Sequence, residues 1–154
     1  MTAKNTLVLD SNVILSGLIW GGKPAQILEQ IESGHASLFT SRRQLEEFTR
    51  ITSYPKVIKA LQKRNMIPRD LVVWLVQQAV LITPKPLNEI IIPNDPTDDA
   101  ILAIALTAKA DFIVSGDKRH LLPLKAFHGI PIVTPDQYLQ AEFDNKSKGG
   151  TRLV

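Results

Sequence analysis

The sequence predicts an α/β fold, with a central parallel sheet covered by helices on both faces. Short apolar segments typical of strands buried on both faces occur at residues 6–10, 36–40, 112–115 and 130–133. Longer segments between them repeat apolar residues with helical spacing. Strands that alternate with helices form parallel sheets, because each helix returns the chain to the same end of the sheet.

Helix signals follow each predicted strand in the first half of the chain. Asn12 is placed to cap a helix that a pair of glycines ends, and Pro24 begins the next helix. Ser41 is placed to cap a third helix after the second strand. Residues 56–64 and 68–80 have the spacing of two further helices, which we expect to complete the core; an interface for a partner is the alternative.

The second half of the chain repeats the alternation. An Ala- and Leu-rich helix over residues 100–110 precedes the strand at 112–115, and a last helix begins near Pro135. With 154 residues, no internal repeat and no linker, the chain fits one domain. We predict that domain over residues 1–143, followed by a flexible tail over residues 144–154.

Composition excludes several classes of protein. The net charge of +3 permits contact with phosphates but does not require it, and the absence of Cys excludes disulfides, thiolate metal sites and Cys nucleophiles. Residues 1–10 lack the apolar stretch of a signal peptide, and the longest uncharged run, residues 71–84, is too short to span a membrane. We therefore expect a cytoplasmic protein with no membrane association.

Four acids are predicted to meet at one end of the sheet. Asp10 and Asp117 follow two buried strands, Asp98 opens the Ala-rich helix, and Glu47 lies in the helix after the second strand. Carboxylates crowded in one cleft repel each other, and divalent cations with oxygen ligands relieve this repulsion best. The pattern favours a Mg²⁺ or Mn²⁺ site acting on a phosphodiester. Taken singly, each acid also fits a helix cap, a turn or a solvated charge.

Four segments together resemble the PIN domain family over about residues 6–139: LVLDSN (7–12), LEEF (45–48), DPTDDAILAIAL (95–106) and ADFIVSGD (110–117). The resemblance implies a Rossmann-like α/β/α sandwich and a Mg²⁺- or Mn²⁺-dependent ribonuclease, a group that includes the VapC toxins of toxin–antitoxin pairs. It also implies cleavage of single-stranded or structured RNA that leaves a 5′ phosphate, an antitoxin protein as a possible partner, and a homodimer.

Carried over position by position, the resemblance implies Asp10, Glu47, Asp98 and Asp117 as the catalytic and metal-binding residues. Asn12 and Ser115 match supporting positions. Asp95, Asp98 and Asp99 compete for the third acid; the family's spacing favours Asp98 and leaves Asp99 in reserve. Where close relatives often have an acid after the Gly-Asp-Lys segment, this chain has His120, for which we prefer a solvated surface position over a phosphate contact.

Basic residues around the predicted cleft are expected to guide the nucleic-acid backbone: Arg42, Arg43, Lys118 and Arg119. A second basic group fits ordinary solubility better: Lys56, Lys59, Lys63, Arg64 and Arg69. Two alternatives to a ribonuclease stay open. One is a phosphate-handling α/β enzyme or receiver-type phosphoacceptor, which needs a dedicated Lys and Thr or Ser around one Asp. The other is a non-catalytic PIN-like domain that binds nucleic acid or protein.

Overall fold

The computed structural model of the protein describes residues 4–88, 91–92 and 96–152, and of residues 146–152 it describes the backbone alone. The strands are β1 (Asn5–Leu9), β2 (Ala36–Ser41), β3 (Ala79–Ile82), β4 (Phe112–Val114), β5 (Ala126–Phe127) and β6 (Ile130–Val133). The helices are α1 (Ser11–Ile19), α2 (Gly22–Glu32), α3 (Arg42–Ile51), α4 (Pro55–Gln62), α5 (Pro68–Gln78), α6 (Pro96–Ala108) and α7 (Pro135–Arg152), with a 3₁₀ turn at Leu122–Leu124.

The strands form one sheet in the order β3-β2-β1-β4-β6-β5. All neighbours pair in parallel except β5, which is antiparallel to β6. The chain builds outward from β1 to β3 on one side and then crosses to β4 on the other side of β1, where β6 and the edge strand β5 complete the sheet, so the strand order reverses between β1 and β4. The crevice beyond the carboxyl ends of these two strands is where open parallel sheets bind ligands.

Alternation along β1 divides the core between the two faces of the sheet. Leu7 and Leu9 belong to an apolar cluster with side chains from α1, α2, α3, α4, α5 and α7. Val8 faces the opposite way, into a second cluster with α6, β4 and β6. All three side chains are fully buried, as expected of a central strand covered on both faces. The architecture is an α/β/α sandwich, as the sequence predicts.

The structure corrects the bounds of three predicted helices. The helix predicted to begin at Pro24 begins at Gly22, and the Ala-rich helix predicted over residues 100–110 runs over Pro96–Ala108. The helix predicted over residues 68–80 ends at Gln78, and the next four residues form the edge strand β3, paired in parallel with β2 from Leu38↔Ala79 to Ser41↔Ile82. Only two uncharged residues, Gln77 and Gln78, separate the apolar residues of the helix from those of the strand, and Gln is a good helix former, so periodicity alone does not locate the junction. Pairing with β2, a contact between distant parts of the chain, decides the conformation.

The last helix extends beyond its predicted domain boundary. The bounds of α7 run from Pro135 to Arg152 and so include much of the segment predicted as a tail; the flexibility of that segment stays a prediction. Among the residues that the structure describes, no helix has the length and apolar character needed to cross a membrane.

Candidate metal centre

Asp10 leaves the end of β1 and caps α1. Its Oδ1 accepts a hydrogen bond from the Asn12 backbone N–H at 3.2 Å, and its own N–H donates to the Val114 carbonyl at 2.9 Å. The prediction that Asn12 caps this helix is therefore wrong. Asp10 has the extended backbone of a cap residue (φ −57°, ψ 142°), and Asn12 already lies in the first helical turn. The side chain of Asn12 instead lines the cleft.

Ser115 ties Asp10 to Asp117. The buried Ser115 hydroxyl donates to Asp10 Oδ2 at 2.9 Å and accepts from the Asp117 N–H at 2.9 Å. Asp117 Oδ1 in turn accepts from the backbone N–H groups of Arg119 (2.9 Å) and His120 (3.2 Å). These bonds fix both carboxylates at the carboxyl ends of the two central strands.

The pKa of Asp117 lies below its ordinary value. Partial burial acts to raise this pKa, but a hydrogen bond with the Asp98 side chain and the backbone N–H groups of Arg119 and His120 favour the carboxylate and outweigh burial. Asp117 is therefore poised as an anion.

Asp98 lies buried in the first turn of α6, facing His120 and Asp117. The Nδ1 atom of His120 is 3.3 Å from Asp98 Oδ2 and 3.6 Å from Asp117 Oδ2. One ligand atom from each of these three residues lies within 4.8 Å of the other two. Our preference for a solvated surface position of His120 is wrong, because the turn that follows β4 carries its ring back between two acids.

Glu47 projects from the middle of α3 into the same cleft. Burial raises the pKa of this half-buried carboxyl above its ordinary value, and the negative charge of Asp10 adds to the rise. Hydrogen bonds with the side chains of Thr97 and Ser11 and the positive charge of Arg50 oppose it. Glu47 is thus held by groups from α1 and α6, while it approaches Asp10 across the end of the sheet.

Gln44 sets the position of α3. Its buried amide donates to the Leu9 carbonyl at 2.7 Å and accepts from the Thr40 hydroxyl at 2.7 Å. Its backbone N–H donates to the Ser41 hydroxyl at 3.2 Å, which confirms Ser41 as the cap of this helix. One side chain therefore links α3 to both β1 and β2, one turn before Glu47.

All four predicted acids line one cleft of about 570 Å³. Its walls include Asn12 and Ser16 from α1, Thr97 from α6, and Arg119 and His120 from the turn after β4. Sequence reasoning missed the contributions of Ser11, Gln44 and Thr97. Each of these residues lies within three sequence positions of a site acid, and this is the one feature of the sequence that could have indicated them.

The rival third acids are not equivalent. Asp99 turns away from His120 and accepts backbone hydrogen bonds from Ile91 (3.2 Å) and Ile92 (2.8 Å), so it anchors the segment that precedes α6. Asp95 lies outside the described residues. Of the described pair, Asp98 is the one that lines the cleft.

The basic residues predicted to guide nucleic acid lie at the same end of the sheet but differ in their contacts. Arg119 lines the cleft, and Lys118 beside it is exposed. Arg43 is exposed on the first turn of α3, whereas Arg42 forms an ion pair with Glu46 at 3.0 Å. Arg119 is therefore the cation with the most direct access to a molecule in the cleft.

The donor set fits a divalent cation. Asp98, Asp117 and His120 offer oxygen and imidazole nitrogen atoms close enough to share one ion, and Asp10 and Glu47 add carboxylates in the same cleft. Mg²⁺ prefers carboxylate oxygen, and Mn²⁺ accepts both donor types.

Comparison with known proteins agrees with this geometry. No curated protein and no solved structure matches the chain significantly. A family model described as PIN domain matches residues 6–119, which take in Asp10, Glu47, Asp98 and Asp117. The chain belongs to the PIN domain family, whose members are generally nucleases that use divalent metal ions.

Proposed function

We propose that the protein is a Mg²⁺- or Mn²⁺-dependent endoribonuclease that hydrolyses phosphodiester bonds of single-stranded or structured RNA. The observation that carries the proposal is the convergence of Asp10, Glu47, Asp98 and Asp117 in one cleft at the reversal of strand order. Unstacked RNA fits such a cleft because its backbone can reach the acids without a duplex around it.

Asp98, Asp117 and Asp10 are the proposed ligands, with His120 as an additional donor and Glu47 acting directly or through water. A bound divalent ion activates water at neutral pH and polarises the scissile phosphate. Arg119 lies at the cleft wall, where it can neutralise a non-bridging phosphate oxygen. Hydrogen bonds with Thr97 and Ser11 hold the Glu47 carboxylate in the cleft.

We propose two partners beyond RNA. A toxin role implies an antitoxin protein, and the acid-lined cleft fits a cationic side chain that the antitoxin inserts and that occupies the ion's place. A second copy of the chain is the other expected partner. A phosphoacceptor function is less consistent with this cleft, because several acids surround the position where one phosphorylated Asp would need space and cations.

Adjacent glutamates on α3 provide the matched test. Glu47→Gln and Glu46→Gln each remove one negative charge, at adjacent positions. Glu46, however, is exposed and pairs with Arg42 outside the cleft. With labelled single-stranded RNA and Mn²⁺, we expect the Glu47 variant to lose at least about a hundredfold in cleavage rate and the Glu46 variant to retain the wild-type rate. EDTA should abolish cleavage.

Asp10→Asn is the second variant, since Asn caps a helix as well as Asp and the fold should survive. Wild-type cleavage by Asp10→Asn, or cleavage that persists in EDTA, contradicts the proposal. A DNA strand of the same sequence tests the preference for RNA. A 5′ phosphate on the products tests which of the two ester bonds of the phosphodiester is hydrolysed.

A further inference from the structure

A stripe of three lysines runs along the solvent face of α4. Lys56, Lys59 and the C-cap residue Lys63 are spaced i, i+3 and i+7, which places them on one side of the helix. Val57 and Leu61 are buried on the other side. All three lysines are exposed, and within the described part of the chain none of them forms an ion pair.

The stability of α4 explains only part of the lysine stripe. Lys56 lies in the first helical turn, where the helix dipole disfavours a positive charge. The dipole favours Lys59 in the last turn and Lys63 at the C-cap, but these two lysines repel each other as an i, i+4 pair. The sequence of α4 contains no acid that would compensate them. On α3, by contrast, Arg42 is neutralised by Glu46 at the same spacing.

Arg50 and Tyr54 connect the lysine stripe to the cleft. Arg50 lies one turn beyond Glu47 on α3, close enough for its charge to act on that carboxyl. Its Nη1 donates to the Tyr54 hydroxyl at 3.2 Å. Tyr54 caps α4 through its backbone alone, and its side chain remains 45% exposed. Glu47, the cation of Arg50, the exposed ring of Tyr54 and the first turn of α4, which carries Lys56, are therefore linked in that order.

We infer that Arg50, Tyr54 and the lysine stripe form a track for single-stranded RNA that leads away from the cleft, an inference that rests on the proposed function. The lysines bind successive phosphates, and the Tyr54 ring stacks on one base. Exposed rings beside cationic grooves are a recurrent arrangement for single strands, because every base offers a face for stacking. The track lies on one side of the scissile bond, so it fixes the direction in which the strand enters.

The test compares two triple variants with the same change of charge. Lys56→Gln, Lys59→Gln and Lys63→Gln together remove the lysine stripe. Lys4→Gln, Lys85→Gln and Lys109→Gln together are the control, because these exposed lysines lie by the opposite end of the sheet. Lys4 precedes β1, Lys109 follows the end of α6, and the backbone N–H of Lys85 donates to Thr107 near that same end.

Binding of a fluorescein-labelled single-stranded RNA is measured in EDTA, which prevents cleavage, over a range of salt concentrations. The variant lacking the lysine stripe should bind about tenfold more weakly, and its slope of log affinity against log salt should fall by about 2, since each phosphate contact on a single strand contributes about 0.7. With Mn²⁺ its KM should rise while kcat stays unchanged. The control variant should match the wild type.

Tyr54→Leu separates stacking from charge: affinity should fall severalfold with the salt slope unchanged. Cleavage by the wild type together with unchanged affinity and slope in the variant lacking the lysine stripe overturns the track and leaves the nuclease intact. A wild-type protein that neither binds nor cleaves RNA overturns both.

Discussion

The Ser115 hydroxyl donates a hydrogen bond to Asp10 Oδ2 at 2.9 Å, although the two residues are 105 positions apart in sequence. The Oγ of Ser115 also accepts a hydrogen bond from the Asp117 N–H. Since Ser115 is fully buried, water cannot replace either bond. One small side chain therefore sets the separation of two site acids.

Ser115→Ala should weaken both the fold and the metal centre. Loss of a buried hydroxyl that makes two hydrogen bonds is expected to lower the free energy of unfolding by about 1–3 kcal/mol. Mn²⁺ affinity should fall about tenfold, the range found when a group that orients a metal ligand is removed. Urea denaturation and calorimetric titration measure the two effects. Ser33→Ala, which changes an exposed hydroxyl bonded within one turn, is the control.

Substitution of Asp98 should affect cleavage, whereas substitution of Asp99 should affect the stability of the fold. Asp98→Asn is expected to abolish Mn²⁺-dependent cleavage, because Asp98 faces Asp117 and His120 in the cleft. Asp99→Asn removes the charge that accepts two backbone hydrogen bonds and should lower the free energy of unfolding by about 1–3 kcal/mol while cleavage persists. Cleavage assays and thermal unfolding of the two variants show which of the two acids serves the site. The reverse pattern would make Asp99 the site acid.

His120 should influence which metal the centre prefers. Imidazole nitrogen is a better ligand for Mn²⁺ than for Mg²⁺, which favours oxygen. His120→Ala is therefore expected to lose several times more affinity for Mn²⁺ than for Mg²⁺, measured by titration of each ion. An equal loss for both ions would show that the ring acts by positioning Asp98 and Asp117, not as a ligand. His128→Ala, on the β5–β6 turn, controls for loss of an imidazole elsewhere.

Ionisation of Tyr138 should lower the free energy of unfolding at alkaline pH. Burial of its ring, together with the negative charges of Glu142 and Asp111, raises the pKa of the hydroxyl to about 12 against the opposing effect of a hydrogen bond with Asn5. The hydroxyl donates to Gln30 Oε1 at 3.0 Å and so attaches α7 to α2. The folded state favours the neutral hydroxyl. The stabilisation that Tyr138 gives the fold is therefore complete below the unfolded pKa of about 10, and it is lost as pH rises towards 12.

The expected loss across that interval is about 2–3 kcal/mol in the free energy of unfolding. Tyr138→Phe should start less stable, because Gln30 loses its donor, but should lose less on going from pH 9 to pH 12. Chemical denaturation at each pH measures the difference. A parallel decline of both proteins would assign the loss to other groups, such as the lysines.

The patterns of apolar residues were sufficient to predict the inner strands of the sheet but not the edge strand β3. The buried segments that became β1, β2, β4 and β6 are bounded by polar residues or turns, and each was predicted within a residue or two. Between the apolar residues of α5 and those of β3 stand Gln77 and Gln78, which fit a helix as well as a boundary, and the conformation of β3 depends on pairing with β2. Local sequence carries no information about that pairing.

The acids were predictable because each occupies a position that the topology defines, whereas His120 was not. Asp10 and Asp117 follow central strands, and parallel pairing brings such ends together whatever the intervening sequence. The ring of His120 depends on the exact turn that Asp117 makes with the next N–H groups. Similarly, whether Asp10 or Asn12 caps α1 depends on the residue at which the strand ends, a boundary that periodicity locates only approximately.

The pairing of Leu9 with Val114 has a thermodynamic consequence. Asp10 and Ser115 are the next residues of these two strands, so a slip of one position would turn Ser115 away from the carboxylate. The centre therefore exists only when the two middle strands are correctly joined, so unfolding of the domain destroys it. A cation that binds there stabilises every element at once, by about 2.7 kcal/mol at a concentration one hundred times its dissociation constant. Chelation should lower the melting temperature of the whole domain in a single transition.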